Sequence, residues 1–187
     1  MATETKKLKT ENFNELYAEV LGPDALRIRR LMPADMQTVW DYITQPHKSV
    51  LWLTAINTEF RQDGPYDVTF DNSRLTNEPA PEGFECSHNA GGEVLIFDPP
   101  KRFSYTWVMG ENATKVLFEL EPQGENTLLT LTHTELSGSA LLNVAPGWHT
   151  HIGLLISLLQ GKKPQPFWGT FLALKSKYQT IIRGELV

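Results

Sequence analysis

The most apolar stretch of the chain lies between Pro146 and Gly161. Apolar side chains recur along residues 147–160 at the three- and four-residue spacing of one helical face, and most of the opposite face is apolar too. A helix that is apolar nearly all round is covered on both sides, and this one is too short to cross a bilayer, which needs about 20 apolar residues. The pattern therefore predicts a buried helix that starts at Pro146-Gly147 and packs between a sheet and another element.

A period of two residues marks one segment near the start of the chain and most of its middle. Alternating side chains predict strands over residues 26–31, 58–61, 66–70, 92–97, 102–108, 113–120 and 127–134. Their connections in the middle of the chain are short, so adjacent strands are expected to pair antiparallel as a meander. Residues 71–91 break the pattern and are predicted to form a long loop, which in a compact domain is often functional or mobile.

Helical spacing returns on both sides of these strands. After the first strand, we expect a helix from Pro33 to Thr44 and a second short helix that starts at Pro46 and carries Trp52. Apolar positions three and four residues apart predict a further helix over residues 165–183. This terminal helix supplies the second cover that the apolar helix requires.

The same patterns suggest how the chain is divided. Residues 1–24 are predicted to be an N-terminal extension with a short helix over residues 11–21, and residues 25–187 a single domain. The order of elements indicates an α+β fold of the helix-grip type. In this arrangement a curved antiparallel sheet of about seven strands wraps round a long helix, two short helices follow the first strand, and an extra helix ends the chain.

Composition and charge narrow the class of protein. The chain is 41% hydrophobic and 21% charged, which is typical of a globular protein and excludes wholesale disorder. Its net charge is −5, and its scattered Lys and Arg residues offer no basic stripe for nucleic acid or an anionic membrane. The single Cys86 and the polar N-terminus without an apolar leader favour the cytoplasm.

Several blocks of sequence resemble one known family. They are Arg30-Leu31-Met32-Pro33-Ala34, the run from Gly92 through Asp98-Pro99-Pro100 to Tyr105-Thr106-Trp107, the strand Val116 to Leu120, and Gly147-Trp148. Over about residues 25–182 the chain resembles the AHSA1-like (activator of Hsp90 ATPase homologue) branch of the START/Bet v 1-like, or SRPBCC, superfamily. The resemblance implies a mostly apolar cavity between sheet and helix, in which members bind or act on hydrophobic small molecules; other members assist a chaperone.

The sequence departs from the family pattern in two places. Gly64-Pro65 stands where many members have a Gly-Gly turn, which changes the local turn and leaves the fold prediction intact. The eukaryotic Hsp90 activators also carry a separate N-terminal domain that engages the chaperone. Because residues 1–24 are too short for such a domain, the resemblance gives little reason to expect that this chain activates Hsp90.

The predicted cavity is lined by side chains that share one face of the sheet or of the apolar helix. Because alternate residues of a strand point to the same side, the candidate ligand-binding residues are Trp52, Phe103, Tyr105, Trp107, Phe118, Leu131, His133, Trp148, His151, Ile152 and Leu155. Hydroxyl, indole and imidazole groups would orient a bound molecule. The same aromatic residues also suit a solid core, and the pattern leaves both interpretations open.

Candidate chemistry beyond binding is weak in this sequence. His133, His149 and His151 supply three imidazoles, the minimum for catalytic zinc, but the last two are two residues apart rather than four, so no metal site is predicted. Phosphate-loop and dinucleotide motifs are absent, so no cofactor is expected. Acid–base chemistry has candidates without diagnostic spacing, namely His133 with Tyr105, or the carboxylates of Glu59, Asp67 and Glu85.

These observations together predict a cytoplasmic protein, a monomer or a homodimer, that binds a hydrophobic or amphipathic small molecule between sheet and helix. No cofactor, nucleic acid or membrane insertion is expected. Two alternatives remain open at this point. One is a chaperone- or stress-associated interaction protein similar to the C-terminal domain of the Hsp90 activators, and the other is a hydrolase or cyclase working in the cavity.

Overall fold

The computed structural model describes residues 13–109 and 112–185. Its strands form one antiparallel sheet in the order β1-β2-β8-β7-β6-β5-β4-β3. They are β1 (Glu19–Gly22), β2 (Ala25–Met32), β3 (Ala55–Ile56), β4 (Pro65–Phe70), β5 (His88–Asp98), β6 (Arg102–Met109), β7 (Asn112–Gln123) and β8 (Asn126–Thr134). The eight strands exceed the predicted number of about seven by one, because β1 was expected to be helical.

Four α-helices lie within the described residues and complete the fold. They are α1 (Met36–Thr44), α2 (Pro46–Ser49), α3 (Gly138–Leu159) and α4 (Phe167–Glu185). The long helix α3 packs across the inner face of the sheet, and α4 packs against α3. None of the described helices has the length and apolar content needed to cross a membrane. The predicted helix-grip architecture of the α+β class is therefore confirmed.

Alternation along the strands defines the inner face of the sheet. Buried and half-buried residues alternate without interruption along β2 and β8. Opposite β8, β7 places Phe118 beside Leu131 and Val116 beside His133, and all four side chains are buried. Since the side-chain period of a strand is two, this register directs one set of apolar residues towards α3.

Helix α3 begins nine residues earlier than the sequence pattern indicates. Ser137 caps its N-terminus by accepting a hydrogen bond from the Ala140 N–H at 3.3 Å, and Pro146 lies inside the helix. A proline was expected to start the helix because it suits the first turn. Leu141 and Ala145, at 0% and 1% exposure, pack in the core, and their burial offsets the backbone hydrogen bond that Pro146 cannot donate.

The predicted helix over residues 11–21 is wrong for its described part. A short 3-10 turn at Phe13–Glu15 is followed by β1, which pairs with β2. The Glu19 carboxylate bonds Arg27 and Arg29 on the neighbouring strand at 2.6 Å and 2.8 Å. The ion pairs and the backbone pairing with β2 stabilise a strand here, although the spacing of the apolar residues is that of a helix. Residues 11 and 12 lie outside the described residues, and the division of the chain at residue 25 stays a prediction.

Other element boundaries also differ from the sequence prediction. Residues 58–61 form no strand, and the edge strand at that end of the sheet is β3. Helix α1 begins after Asp35, whose carboxylate accepts from the Thr38 N–H at 2.9 Å, rather than at Pro33. Helix α2 ends before Trp52, which lies in the following turn. Strand β5 starts at His88, so the irregular loop is shorter than predicted.

Candidate ligand-binding site

The space between α1 and the inner face of β4, β6 and β7 is filled by side chains. Phe103, Tyr105 and Phe118 form a cluster of ring contacts, with Phe60 against Phe103 at a centroid distance of 4.7 Å. The free volume that these residues share with their neighbours is about 20 Å³. A space of this size holds about one water molecule, so this region is a packed core rather than a ligand cavity.

A larger cavity, which we call the aromatic pocket, opens beside this core. Its volume is about 190 Å³. It lies between α3, the start of α4, the ends of β4 and β5, and the loop that joins those two strands. Its lining residues are Leu53, Phe70, Asn72, Phe84, His88, Trp107, Asn143, Val144, Gly147, Trp148, His151, Phe167, Trp168 and Phe171.

Parallel rings form one wall of the aromatic pocket. Phe70 and Trp107 stack with centroids 4.8 Å apart, and His88 stacks on the other side of Phe70 at 5.2 Å. On the far side of Trp107, the His133 ring lies parallel to the indole at 5.5 Å. The sheet register holds this stack, since Phe70 is directly opposite His88 on adjacent strands. The wall is therefore flat, apolar and fixed by the strands.

The opposite wall comes from the first turns of α4. Trp168 is only 3% exposed, and Phe84 from the β4–β5 loop packs against both Trp168 and Phe171. Glu78, on the same loop, accepts a hydrogen bond from the Trp168 N–H at 2.8 Å and another from the Gly169 N–H at 3.3 Å. A carboxylate at a helix N-terminus satisfies free amides and the positive end of the helix dipole. Glu78 thus fixes α4 against the loop.

Loss of this contact should be measurable. We expect Glu78→Ala to lower the free energy of unfolding by about 1 kcal/mol, the usual cost of removing a helix cap. Urea denaturation followed by far-UV circular dichroism measures it. Glu82→Ala, at an exposed position of the same loop, is the matched control and should change stability by less than about 0.5 kcal/mol. Equal stability of the two variants would contradict the capping role.

His151 contributes a polar atom to the aromatic pocket. Its Nδ1–H donates to the Trp52 carbonyl at 2.6 Å, which leaves the lone pair on Nε2. Burial lowers the pKa of His151 to about 4, against a smaller opposing effect of that hydrogen bond. The ring is therefore neutral at pH 7. Among the residues that the structure describes, no side chain or backbone group bonds Nε2, so it is available as an acceptor.

Two lining residues also have a polar atom that lacks a hydrogen-bond partner and is buried away from the pocket surface. These atoms are the Trp168 indole Nε1 and the Asn72 Oδ1, both buried and unpaired within the described part of the chain. A buried polar atom without a partner costs about 1–3 kcal/mol. None of the residues that line the pocket is Lys, Arg, Asp or Glu. The lining of the site is thus largely apolar, and His151 Nε2 is its available acceptor.

His133 supports the pocket from behind and has no free nitrogen. The Trp148 Nε1–H donates to His133 Nδ1 at 3.1 Å, so the proton of the neutral ring is on Nε2, which donates to Thr114 Oγ1 at 2.8 Å. The Thr114 hydroxyl in turn donates to the Trp107 carbonyl. Burial lowers the pKa of His133 to about 3. The proposed pairing of His133 with Tyr105 in acid–base chemistry therefore has no available imidazole nitrogen.

His149 lies in a separate network on the other side of α3. The Ala18 N–H donates to the Tyr178 hydroxyl, which also shares a hydrogen bond with His149 Nδ1 at 2.9 Å. Burial, with the nearby charges of Arg30 and Lys177, lowers the pKa of His149 to about 3. The three histidines thus have different partners, and the described residues contain no cluster of three metal-ligating side chains. Glu59, Asp67 and Glu85, the other acid–base candidates, are exposed.

The buried histidines predict an acid-sensitive fold. Their ordinary pKa is 6.5, whereas His133 and His149 have values of about 3 and His151 of about 4. Between pH 6.5 and those values the unfolded chain binds more protons than the folded chain, so stability falls as the pH falls. Each histidine contributes a slope of up to about 1.4 kcal/mol per pH unit. Urea denaturation between about pH 7 and about pH 5 measures this slope.

Variants identify the source of that slope. We expect His149→Gln, whose amide group still shares a hydrogen bond with Tyr178, to flatten the pH dependence of stability in this range. His47→Gln, at an exposed histidine, should leave it unchanged. Identical slopes for the two variants would show that the acid sensitivity has another origin.

The structure sorts the predicted site residues into two groups. Trp107, Trp148 and His151 line the aromatic pocket. The remaining predicted residues lie in the packed core or behind the pocket. They are Trp52, Phe103, Tyr105, Phe118, Leu131, His133, Ile152 and Leu155. That any of them contacts a ligand stays a prediction. Sequence reasoning missed Phe70, Asn72, Phe84, His88, Trp168 and Phe171 as lining residues. The irregular loop and the apolar stripe of the last helix were the available signals.

Larger grooves on the surface lack these features. One of about 600 Å³ runs between α3 and α4, and its lining includes Lys177, Gln165 and Glu78. Another of about 690 Å³ lies beside Lys163 and Asn77. The aromatic pocket is no more enclosed than these grooves, but its lining is aromatic and contains no Lys, Arg, Asp or Glu. The aromatic pocket is therefore the better candidate site.

The sheet wrapped round α3, with an apolar pocket beside it, defines a helix-grip protein. The sequence profile described as "Activator of Hsp90 ATPase homolog 1-like protein" matches residues 33–160. The chain belongs to this AHSA1-like family of the SRPBCC superfamily. The match ends at the C-terminus of α3, so α4 lies outside it.

Solved structures share the fold. The solution NMR structure of the protein encoded by gene BPP1335 from Bordetella parapertussis is 32% identical over 86% of this chain and 87% of that chain, with a TM-score of 0.74. The crystal structure of CalU16 from Micromonospora echinospora is 23% identical over 85% and 88%, with a TM-score of 0.61. DynU16, from the dynemicin biosynthetic locus, is 19% identical over 78% and 51%, with a TM-score of 0.62. Comparison with curated proteins gave no match.

Proposed function

We propose that this protein binds an apolar small molecule in the aromatic pocket. The observation that carries the proposal is a cavity of about 190 Å³ whose walls include four Phe and three Trp side chains and no formal charge. An apolar cavity of about 150 Å³ is large enough to hold benzene. The pocket therefore suits a single ring with a small substituent. Family membership and a structural relative from a biosynthetic locus support a ligand-binding role.

The expected affinity follows from the buried area. A ring of the size of an aromatic side chain buries about 150–250 Å², which at about 25 cal/mol per Å² contributes about 4–6 kcal/mol. Since the pocket is already formed, little of this is lost in ordering its walls. The corresponding dissociation constant is between about 0.05 and 1 mM for a minimal ring, and a ligand with more contacts binds more tightly.

Tryptophan signals provide the test. Trp107, Trp148 and Trp168 line the pocket, whereas Trp40 and Trp52 do not. Titration with toluene should shift the indole N–H resonances of the three pocket residues in a ¹⁵N-labelled sample and leave the other two in place. Toluene that shifts none of the five, or that shifts Trp40 and Trp52 instead, would refute the proposal. A chaperone-associated role stays a separate prediction, which an Hsp90 ATPase assay addresses.

A further inference from the structure

We infer that the aromatic pocket selects a single-ring molecule whose substituent donates a hydrogen bond to His151 Nε2, a phenol being the simplest case. This inference rests on the proposed function and deepens it. Three observations carry it: the fixed tautomer of His151, the position of this residue on the pocket face of α3, and the accessible surface that Nε2 retains.

A backbone carbonyl fixes the tautomer of His151. The Nδ1 atom lies 2.6 Å from the Trp52 carbonyl oxygen, which can only accept, so the ring proton is on Nδ1. Moving the proton to Nε2 would place two buried acceptors face to face, which is costly. Burial also lowers the pKa of His151 to about 4, so the ring is neutral at pH 7. Nε2 therefore presents a lone pair and no proton.

His151 is on the face of α3 that lines the pocket. Val144, Gly147 and His151 are spaced three and four residues apart, so they share one helical face, and all three line the pocket. Each Cα–Cβ bond of a helix is tilted towards its N-terminus, which directs the His151 side chain towards the turn that contains Gly147. A Cβ built on Gly147 meets no atom within 4 Å. The space beside the His151 side chain is therefore open.

The Nε2 atom retains surface that a ligand can reach. His151 is 8% exposed, and the hydrogen bond of its ring to the described residues is made by Nδ1. Nε2 is not among the described polar atoms that are both unpaired and fully buried. It therefore has accessible surface, and the aromatic pocket is the cavity that His151 lines.

The depth of this acceptor makes it selective. His88 and Asn143 also line the pocket, but both are exposed, so water satisfies them whether or not a ligand is bound. A ring with a methyl or methoxy group displaces water from the mostly buried Nε2 and offers no donor in return. A hydroxyl group replaces the displaced water with a hydrogen bond of its own. A carboxylate has only acceptors and would set its charge against the Nε2 lone pair.

Four probes of similar size test the inference. We expect phenol to bind about tenfold more tightly than toluene and anisole, because only phenol donates to Nε2. Benzoate should also bind more weakly than phenol. Titration of the indole N–H resonances of Trp107 and Trp148 at pH 7 gives the dissociation constants.

The imidazole of His151 reports the hydrogen bond in the unchanged protein. In a ¹⁵N-labelled sample, the Nε2 resonance of His151 should move to lower frequency when phenol binds, since its lone pair then accepts a proton donor. Toluene and anisole should leave that resonance nearly in place while they shift the pocket indole signals.

A conservative variant separates the acceptor from the structural hydrogen bond. In His151→Asn the amide nitrogen takes the place of Nδ1 and can still donate to the Trp52 carbonyl, but no atom reaches the position of Nε2. We expect the preference for phenol over toluene to fall about tenfold, while toluene affinity stays within about a factor of three. His88→Asn is the matched control, because it makes the same change at an exposed histidine of the lining. It should leave the preference intact.

The possible outcomes distinguish this inference from the proposed function. Equal affinity for phenol and toluene, tighter binding of benzoate, or a His151 Nε2 resonance that phenol does not move would overturn the ligand class and leave the apolar site standing. Loss of the preference in His88→Asn but not in His151→Asn would also overturn it. If His151→Asn does not fold, the Nε2 resonance of the unchanged protein decides. If none of the probes binds at millimolar concentration, the proposed function fails and the inference fails with it.

Discussion

Gly147→Leu should abolish ligand binding without weakening the fold. Gly147 lies in the middle of α3 and lines the aromatic pocket, and a Cβ built on it meets no atom within 4 Å. A leucine side chain therefore has room, and the room that it takes is the pocket. Its helical backbone suits leucine better than glycine by about 0.5–1 kcal/mol. We expect affinity for toluene to fall at least 100-fold, with the melting temperature unchanged or raised.

Gly153→Leu is the matched control for this variant. Gly153 is on the same helix, and a Cβ there also meets no atom within 4 Å, but it is exposed and does not line the aromatic pocket. The same change should raise stability by a similar amount and leave affinity unchanged. If Gly147→Leu binds toluene normally, the binding site lies elsewhere. If both variants lose affinity, the loss comes from the helix rather than from occupation of the pocket.

Trp148→Ala should be the most destabilising single change near the site, at about 3–5 kcal/mol, because it removes a large side chain that is 3% exposed. Trp148 combines two contributions. Its indole rings pack edge-on against Trp107 and Phe118, and its Nε1–H donates to His133. Trp148→Phe keeps most of the ring volume but leaves His133 Nδ1 buried without a donor, so we expect it to cost about 1–3 kcal/mol. Urea denaturation at pH 7 measures both.

A double-mutant cycle isolates the hydrogen bond. His133→Leu removes the acceptor that Trp148→Phe leaves unsatisfied. We therefore expect the double variant to be less destabilised than the sum of the two single changes, by about 1 kcal/mol or more. Trp40→Phe combined with His133→Leu is the comparison pair, since no contact joins those two side chains within the described part of the protein. Equal coupling in both cycles would mean that Trp148 acts through packing alone.

The sheet was predictable because its signal is local. Alternation along 127–134 and 113–120 identified β8 and β7 within a few residues, and the short connections left one way to pair them. The start of α3 was missed because Pro146 has the sequence properties of a helix start, and only the burial of Leu141 and Ala145 shows that the helix extends before it. Strand β1 was missed because its partners, Arg27 and Arg29, are on another strand.

The site was only partly predictable for a related reason. Trp107, Trp148 and His151 could be found because each is on the inner face of a regular element. Trp168 and Phe84 could not, because their position depends on how α4 meets the β4–β5 loop. The packing of α4 on that loop is determined by contacts such as the hydrogen bond from the Trp168 N–H to the Glu78 carboxylate, which joins residues 90 positions apart. A pattern read over a window of a few residues contains no information about such a contact.

The position of α4 has a consequence for how such a site diverges. The wall that holds the unsatisfied indole of Trp168 lies beyond residue 160, where the family match ends, while the stacked wall belongs to the matched sheet. One wall of the pocket thus lies within the matched part of the chain and the other wall lies outside it. Because Phe167, Trp168 and Phe171 are also buried in the core, substitutions in the first two turns of α4 change the pocket wall and the stability of the fold together.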